Sequence, residues 1–123
     1  MNSYGKELIL DLHECDSTKF TRYYIKKYFI QLCDLIEMER CDLYFWDYKG
    51  YLEEYDKAPD HLKGTSAVQF ISTSNIVVHT LDILGKVFIN IFSCKDFSEE
   101  DAADFSAKIF GGTIANKVVL KRL

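Results

Sequence analysis

The sequence predicts an α+β protein: a two-layer sandwich, with a mainly antiparallel sheet carrying two helices on one face. Three observations predict it. The middle of the chain is a series of short β-rich segments joined by tight turns, which favours antiparallel pairing. Two longer segments with apolar residues at helical spacing flank that block. Finally, 123 residues that are 48% apolar, with one proline and six glycines, suit a single compact domain over residues 1–123.

Each element has its own signal. Leu8, Leu10 and Leu12 alternate with Ile9, Asp11 and His13, the pattern of a half-buried strand. Cys15-Asp16-Ser17-Thr18 offers oxygen-bearing caps for a helix expected to run to about Glu39. Phe20, Tyr24, Tyr28, Leu32 and Ile36 form its apolar stripe, and Ile25, Phe29 and Leu35 widen it. Residues 41–48 are dense in aromatics and read as a second strand. Residues 49–64 are polar, contain Gly50, Pro59 and Gly64, and read as a long loop. Strands follow at 66–72, 75–81 and 86–93. Ser98-Glu99-Glu100-Asp101 is a capping-box-like start for a helix whose inner face is Ala102, Phe105 and Ile109, and Gly111-Gly112 ends it. Residues 117–122 close the chain as a strand, giving the order β-α-β-β-β-β-α-β.

Composition excludes several classes of function. Fifteen Lys+Arg against 19 Asp+Glu leave a formal charge of −4, with no basic footprint for nucleic acid or an anionic membrane surface. No apolar run approaches the roughly 18 residues of a membrane helix. Residues 1–6 lack the basic patch and apolar run of a secretory signal. The four cysteines, Cys15, Cys33, Cys41 and Cys94, show no CxxC spacing, so no zinc or other metal site is expected. They read as reduced thiols of a cytoplasmic protein.

The chemistry-bearing residues fall between Ser66 and Cys94. Ser66, Thr73-Ser74, His79 and Cys94 lie within a short run of hairpins. Asn75, Val77 and His79 share one face of a strand, as do Asn90, Phe92 and Cys94 of the next. If those faces coincide, His79 and Cys94 are expected near Ser74 at one end of a small sheet. Taken singly, Ser74 also reads as a turn residue, His79 as a hydrogen-bonded histidine and Cys94 as a small apolar side chain. A hydrolase with Cys94 as nucleophile and His79 as base would lack an orienting residue and an oxyanion-hole motif.

Spacing adds a further reading. Thr73-Ser74-Asn75-Ile76-Val77-Val78-His79-Thr80-Leu81-Asp82-Ile83 resembles the ESHxxIHTxPE signature of the short prokaryotic S-adenosylmethionine decarboxylases. Gly64-Thr65-Ser66 resembles a GxS segment upstream, and Asn90-Ile91-Phe92-Ser93-Cys94 a D-x-F-T-C strand downstream. The stretch from Ser3-Tyr4-Gly5-Lys6 to Glu14-Cys15-Asp16 is similar to the family's opening strand and turn. The resemblance is weakest over residues 49–63.

It implies a pyruvoyl-dependent proenzyme that cuts itself between Thr73 and Ser74. The Ser74 hydroxyl would attack the Thr73 carbonyl, and elimination and hydrolysis would leave a covalent pyruvoyl group at position 74. Ser66 and His79 match the processing residues, and Cys94 matches the proton donor. The pyruvoyl group would hold a small-molecule amine substrate as a Schiff base while carbon dioxide leaves. The product would feed spermidine synthesis. The family's short forms imply a homodimer with sites near the interface.

Several positions depart from the family pattern. Thr73 replaces a glutamate, Asn75 a histidine, and Asp82-Ile83 a Pro-Glu whose glutamate holds the substrate ribose. Asp60 stands where the family often has a phenylalanine that stacks on adenine, and Phe45, Trp46, Tyr48 and Tyr51 are candidates to compensate. The processing residues match better than the residues that grip S-adenosylmethionine. Arginine or ornithine is therefore an alternative substrate, with Asp60 and Asp82 as candidates to pair with its basic side chain. A second alternative is an uncleaved, non-catalytic binding or regulatory subunit.

Overall fold

The computed structural model describes residues 3–123; Met1 and Asn2, the start of the expected domain and of the segment read for a signal, lie outside the described residues. Six strands, β1 (Gly5–His13), β2 (Arg40–Trp46), β3 (Gly64–Ile71), β4 (Ser74–Leu81), β5 (Lys86–Ser93) and β6 (Thr113–Arg122), form one sheet in the order β2-β3-β4-β5-β1-β6. Every pairing is antiparallel. The helices are α1 (Arg22–Leu35), α2 (Leu52–Lys57) and α3 (Glu99–Phe110). The expected α+β architecture is present, with α1 and α3 contributing to one core against the sheet.

Alternation along each strand divides the sheet into a covered and an open face. Leu8, Leu10 and Leu12 of β1, Ile76 and Val78 of β4, and Val87, Ile89 and Ile91 of β5 are buried against Ile25, Tyr28, Phe29 and Leu32 of α1. Neither α1 nor α3 covers the opposite face. Register sets its rows: Trp46, Ser66, His79, Phe88 and Asp11 lie side by side, and Phe70, Asn75, Phe92, Glu7 and Leu120 form another row. Several large apolar side chains on this face are exposed, including Trp46 at 63% and Tyr44, which pairs with Val68, at 60%.

Element ends differ from expectation for local reasons. Asp16 does not cap α1. Its carboxylate accepts the Thr18 N–H at 3.0 Å and caps a separate 3-10 turn, Ser17–Lys19. The chain then turns at Phe20, and Thr21 caps α1 by accepting the Tyr24 N–H at 3.3 Å. The helix ends at Leu35 rather than near Glu39, because Glu37 takes a left-handed φ of 58°. The expected loop 49–64 contains α2 and a 3-10 turn, Asp60–Leu62. β6 begins at Thr113, four residues before its expected start.

Helix α3 is capped by Ser98 and ended by left-handed Gly111, as its sequence indicates. Its buried face is Ala102, Ala103, Ser106 and Phe110, with Phe105 and Ile109 only half-buried. A polar residue can take the inner position because the Ser106 hydroxyl is satisfied on both sides: it lies 2.7 Å from the Ala102 carbonyl and 2.7 Å from the Tyr28 hydroxyl.

At one position the fold has no room for a side chain. A Cβ on Gly5 would lie 2.2 Å from the Ser93 carbonyl oxygen and 2.8 Å from the Cys94 Cα, both backbone atoms. Gly5→Ala must therefore push β1 away from the end of β5. The expected cost is about 1–3 kcal/mol, the usual range for overpacking, measured as a lower denaturation midpoint. An unchanged midpoint would contradict this close approach.

Candidate active site

The site starts at the turn between β3 and β4. Ile71 pairs with Ser74, leaving Ser72-Thr73 as a two-residue hairpin loop. Thr73 takes a left-handed φ of 52°. For a β-branched residue that backbone is strained, by about 1–3 kcal/mol. The strained residue immediately precedes the Thr73–Ser74 peptide bond.

The end of β5 brings Cys94 to the same place. Its N–H donates to Ser74 Oγ at 3.2 Å, and its sulfur lies 3.1 Å from Thr73 Oγ1 and 3.9 Å from Ser74 Oγ. The hydrogen bond with the Thr73 hydroxyl, then that with Ser74, holds the Cys94 thiol below its ordinary pKa. Ser74 is buried and Cys94 exposed. A cavity of about 230 Å³ opens here, walled by residues 71–74 and 93–95 and by the Glu37–Met38–Glu39 turn after α1. Lys95 Nζ donates to the Glu37 carbonyl and ties these walls together.

A larger cleft of about 640 Å³ borders Cys94 on its other side, between the start of β1 and the start of α3. Lys6 crosses it, with Nζ 2.7 Å from Asp96 and 2.6 Å from Glu99. Burial works against the Lys6 ammonium, but its hydrogen bonds to Asp96 and Glu99 outweigh that and raise its pKa. The same bonds hold both carboxyls below their usual range. The clamp fixes the segment that carries Cys94.

Ser66 and His79 form a separate pair. Ser66 Oγ lies 2.8 Å from His79 Nδ1 on the open face. A cavity of about 280 Å³ beside them is lined by Trp46, Tyr48, Leu62 and Phe88. The expectation that His79 and Cys94 meet beside Ser74 is not met within one chain. His79 is five residues along β4 from Ser74, about 16 Å at strand rise, and on the opposite face. His79 pairs with Phe88, six residues before Cys94. The two side chains do share a face, but stand at opposite ends of the strand pair.

Asp60 and Asp82 lie toward the His79 end. Asp82 is half-buried and accepts the Tyr55 hydroxyl at 2.7 Å. Burial raises the Asp82 pKa, and the bond to Asp82 pushes Tyr55 up to about 12. Asp60 is exposed at the 3-10 turn. Sequence reasoning missed the Thr73–Cys94 contact, the Glu37–Glu39 wall, the Lys6 clamp and the Tyr55–Asp82 pair. Each joins residues far apart in the chain through register or loop shape, for which no local pattern is a signal. Among the described residues no group of three or more His, Cys, Asp or Glu side chains converges as metal ligands.

The Thr73–Cys94 contact makes a measurable difference. In a Ser74→Ala background, which removes the serine hydroxyl, the pH midpoint of Cys94 alkylation is expected below the ordinary thiol value of 9.0. Adding Thr73→Val removes the first cause of that lowering and should move the midpoint up. Peptide mapping by mass reads the site; a midpoint at or above 9.0 that Thr73→Val leaves unmoved would contradict the contact.

Fold and site together define a class: a six-stranded antiparallel sheet with helices on one face, carrying a serine, threonine and cysteine at a strained hairpin. The model of the S-adenosylmethionine decarboxylase family matches residues 6–123. The chain belongs to that family. It is 26% identical over 123 residues to the S-adenosylmethionine decarboxylase proenzyme of Geobacillus kaustophilus, covering 99% of this chain and 90% of that protein. The crystal structure of the adenosylmethionine decarboxylase from Aquifex aeolicus superposes with a TM-score of 0.77 at 18% identity, covering 99% of this chain and 92% of that one; it shares the fold.

Proposed function

We propose that this chain is a self-cleaving proenzyme that becomes a pyruvoyl-dependent S-adenosylmethionine decarboxylase. The observation that carries the reading is the meeting of Thr73, Ser74 and Cys94 at a strained turn. In the first step Ser74 Oγ bonds to the Thr73 carbonyl carbon, the C–N bond breaks, and the nitrogen takes the proton, leaving an ester. Strain at Thr73 favours leaving the starting peptide. Loss of the Ser74 Cα proton with cleavage of Cβ–Oγ then frees Thr73 as a carboxylate. Water adds to the remaining unsaturated residue and ammonia departs. The 230 Å³ cavity has room for that water.

The residues present fit the group so formed, because position 74 lines the smaller cavity and lies against Cys94, which lines both cavities. A pyruvoyl group at position 74 would supply a carbonyl that can hold an amine and act as an electron sink for decarboxylation. Cys94 gives a proton to the carbon that lost it, a task for which an exposed, tuned thiol is suited. Lys6, Asp96 and Glu99 hold the Cys94 segment in place.

His79 requires a second copy of the chain in this reading. About 16 Å of strand exceeds hydrogen-bond reach. Two open sheet faces stacked about a two-fold axis, about 10 Å apart, would set the Ser66–His79 end of one chain over the Ser74–Cys94 end of its partner. An isologous interface repeats the arrangement, giving two sites. The exposed Tyr44, Trp46, Phe70 and Leu120 support such an interface. Asp60 and Asp82 would join the site from the same end as His79, where carboxylates can meet a cationic substrate. Free Cys15, Cys33, Cys41 and Cys94 suit a reducing cytoplasm, where the product would enter polyamine synthesis.

The test is release of labelled carbon dioxide from carboxyl-labelled S-adenosylmethionine, arginine and ornithine. Release from S-adenosylmethionine alone is expected. Release only from arginine or ornithine would move the substrate to those amino acids. No release from any would favour a non-catalytic subunit.

A further inference from the structure

Phe105 and Ile109 pack against the core on one side and, being only half-buried, leave α3 an apolar edge on the other. That edge floors a groove of about 430 Å³ between α1 and α3, in the helical layer. Three lysines rim it: Lys19 before α1, Lys27 on α1 and Lys108 on α3. None has a carboxylate within ion-pair distance among the described residues, whereas Lys6, Arg22 and Arg122 are each paired. In a chain of net charge −4, three like charges around one cavity repel one another and leave a local positive potential that an anion would relieve. Two acids offset this charge only in part: Asp16 attracts Lys19 without forming an ion pair, its carboxylate being held by the Thr18 N–H and hydroxyl, and Asp104 lies one turn before Lys108 without bonding it, while Lys27 has no ion pair.

The floor is flat and fixed. Phe105 stacks on buried Tyr28 with centroids 5.9 Å apart and planes 8° from parallel. Tyr24 walls the other side, with Lys19 Nζ 4.3 Å above its ring. Gln31, half-buried in the same groove, offers one acceptor and two donors to a polar ring edge. The volume is within the range of small-molecule sites, about 300–1,000 Å³.

We infer that this groove binds a small anion carrying a flat ring, the chemistry of a nucleoside phosphate. The site is separate from the decarboxylase reading and stands or falls without it. The amines of that reaction carry the same sign as the three lysines and would be repelled.

Calorimetric titration of the full chain with AMP, with inorganic phosphate and adenosine as its separate halves and spermidine as the cationic control, tests it. Saturable AMP binding is expected, tighter than either half, with no heat from spermidine. Lys27→Glu with Lys108→Glu should weaken it at least tenfold while the melting curve stays cooperative, and Phe105→Leu should weaken it less. No saturable AMP binding at millimolar concentration would overturn the inference. So would binding undiminished by the charge reversals, which would place the nucleotide elsewhere, or inorganic phosphate binding as tightly as AMP, which would remove the ring contact.

Discussion

Ser74→Ala is expected to leave the chain whole and without decarboxylase activity, an all-or-none change on both counts. Alanine has no hydroxyl to add to the Thr73 carbonyl, and no pyruvoyl group can form at that position. The fold should survive: the variant loses one acceptor for the Cys94 N–H, which at an exposed residue costs about 0.5–1.5 kcal/mol. Intact mass and a denaturation curve read both effects. A Ser74→Ala chain that still splits after residue 73 would place the chemistry on another group, with Cys94 the first to examine. Thr73→Gly and Thr73→Val both lose the hydroxyl that bonds Cys94, so comparing the two isolates strain. Glycine adopts a φ of 52° freely and valine does not, so the uncut Thr73→Gly chain should be more stable and cut more slowly than the Thr73→Val chain.

The second large effect concerns His79. His79→Ala alone should stay uncut, and so should Ser74→Ala alone. Co-expressed, the two should cut one chain only, the His79→Ala chain, because in the proposed dimer its Ser74–Cys94 end would meet the intact His79 of the partner subunit. Masses differing by the substitutions identify which chain was cut. Cutting of His79→Ala by itself, or of neither chain in the mixture, would contradict the arrangement across two copies. Ser66→Ala should slow cutting rather than abolish it, since Ser66 orients the His79 ring through its 2.8 Å contact and carries no proton away itself.

The strands β1, β3, β4 and β5 were legible because each follows a simple alternation, as where Leu8, Leu10 and Leu12 are buried at the spacing the pattern requires; β2 and β6, at the sheet edges, bury no residue and show none. The two long helices were legible from their stripes, but their faces and ends were less so. The stripe of α3 turned to bury Ser106, because a hydroxyl with two partners is as acceptable inside as an apolar group. Asp16 and Thr21 are both able caps, and only the turn at Phe20 decides between them. Gln69 is fully buried in β3 because its amide donates to the carbonyls of Cys41 and Asp42 where the β2–β3 register shifts, a bulge no local pattern announced. At the site, the Ser74–Cys94 meeting follows from two adjacent hairpins. The distance from His79 to Ser74 was written in the sequence too, as five residues of strand; shared-face parity alone concealed it.

The most direct test of self-cleavage is the intact mass of the purified wild-type chain under reducing, denaturing conditions, with and without borohydride and an amine. Two fragments are expected, residues 1–73 and 74–123. The second should lack its amino terminus and gain mass on reduction with the amine. A single uncut chain that persists through long incubation would contradict self-cleavage at Thr73–Ser74, and with it the pyruvoyl decarboxylase reading.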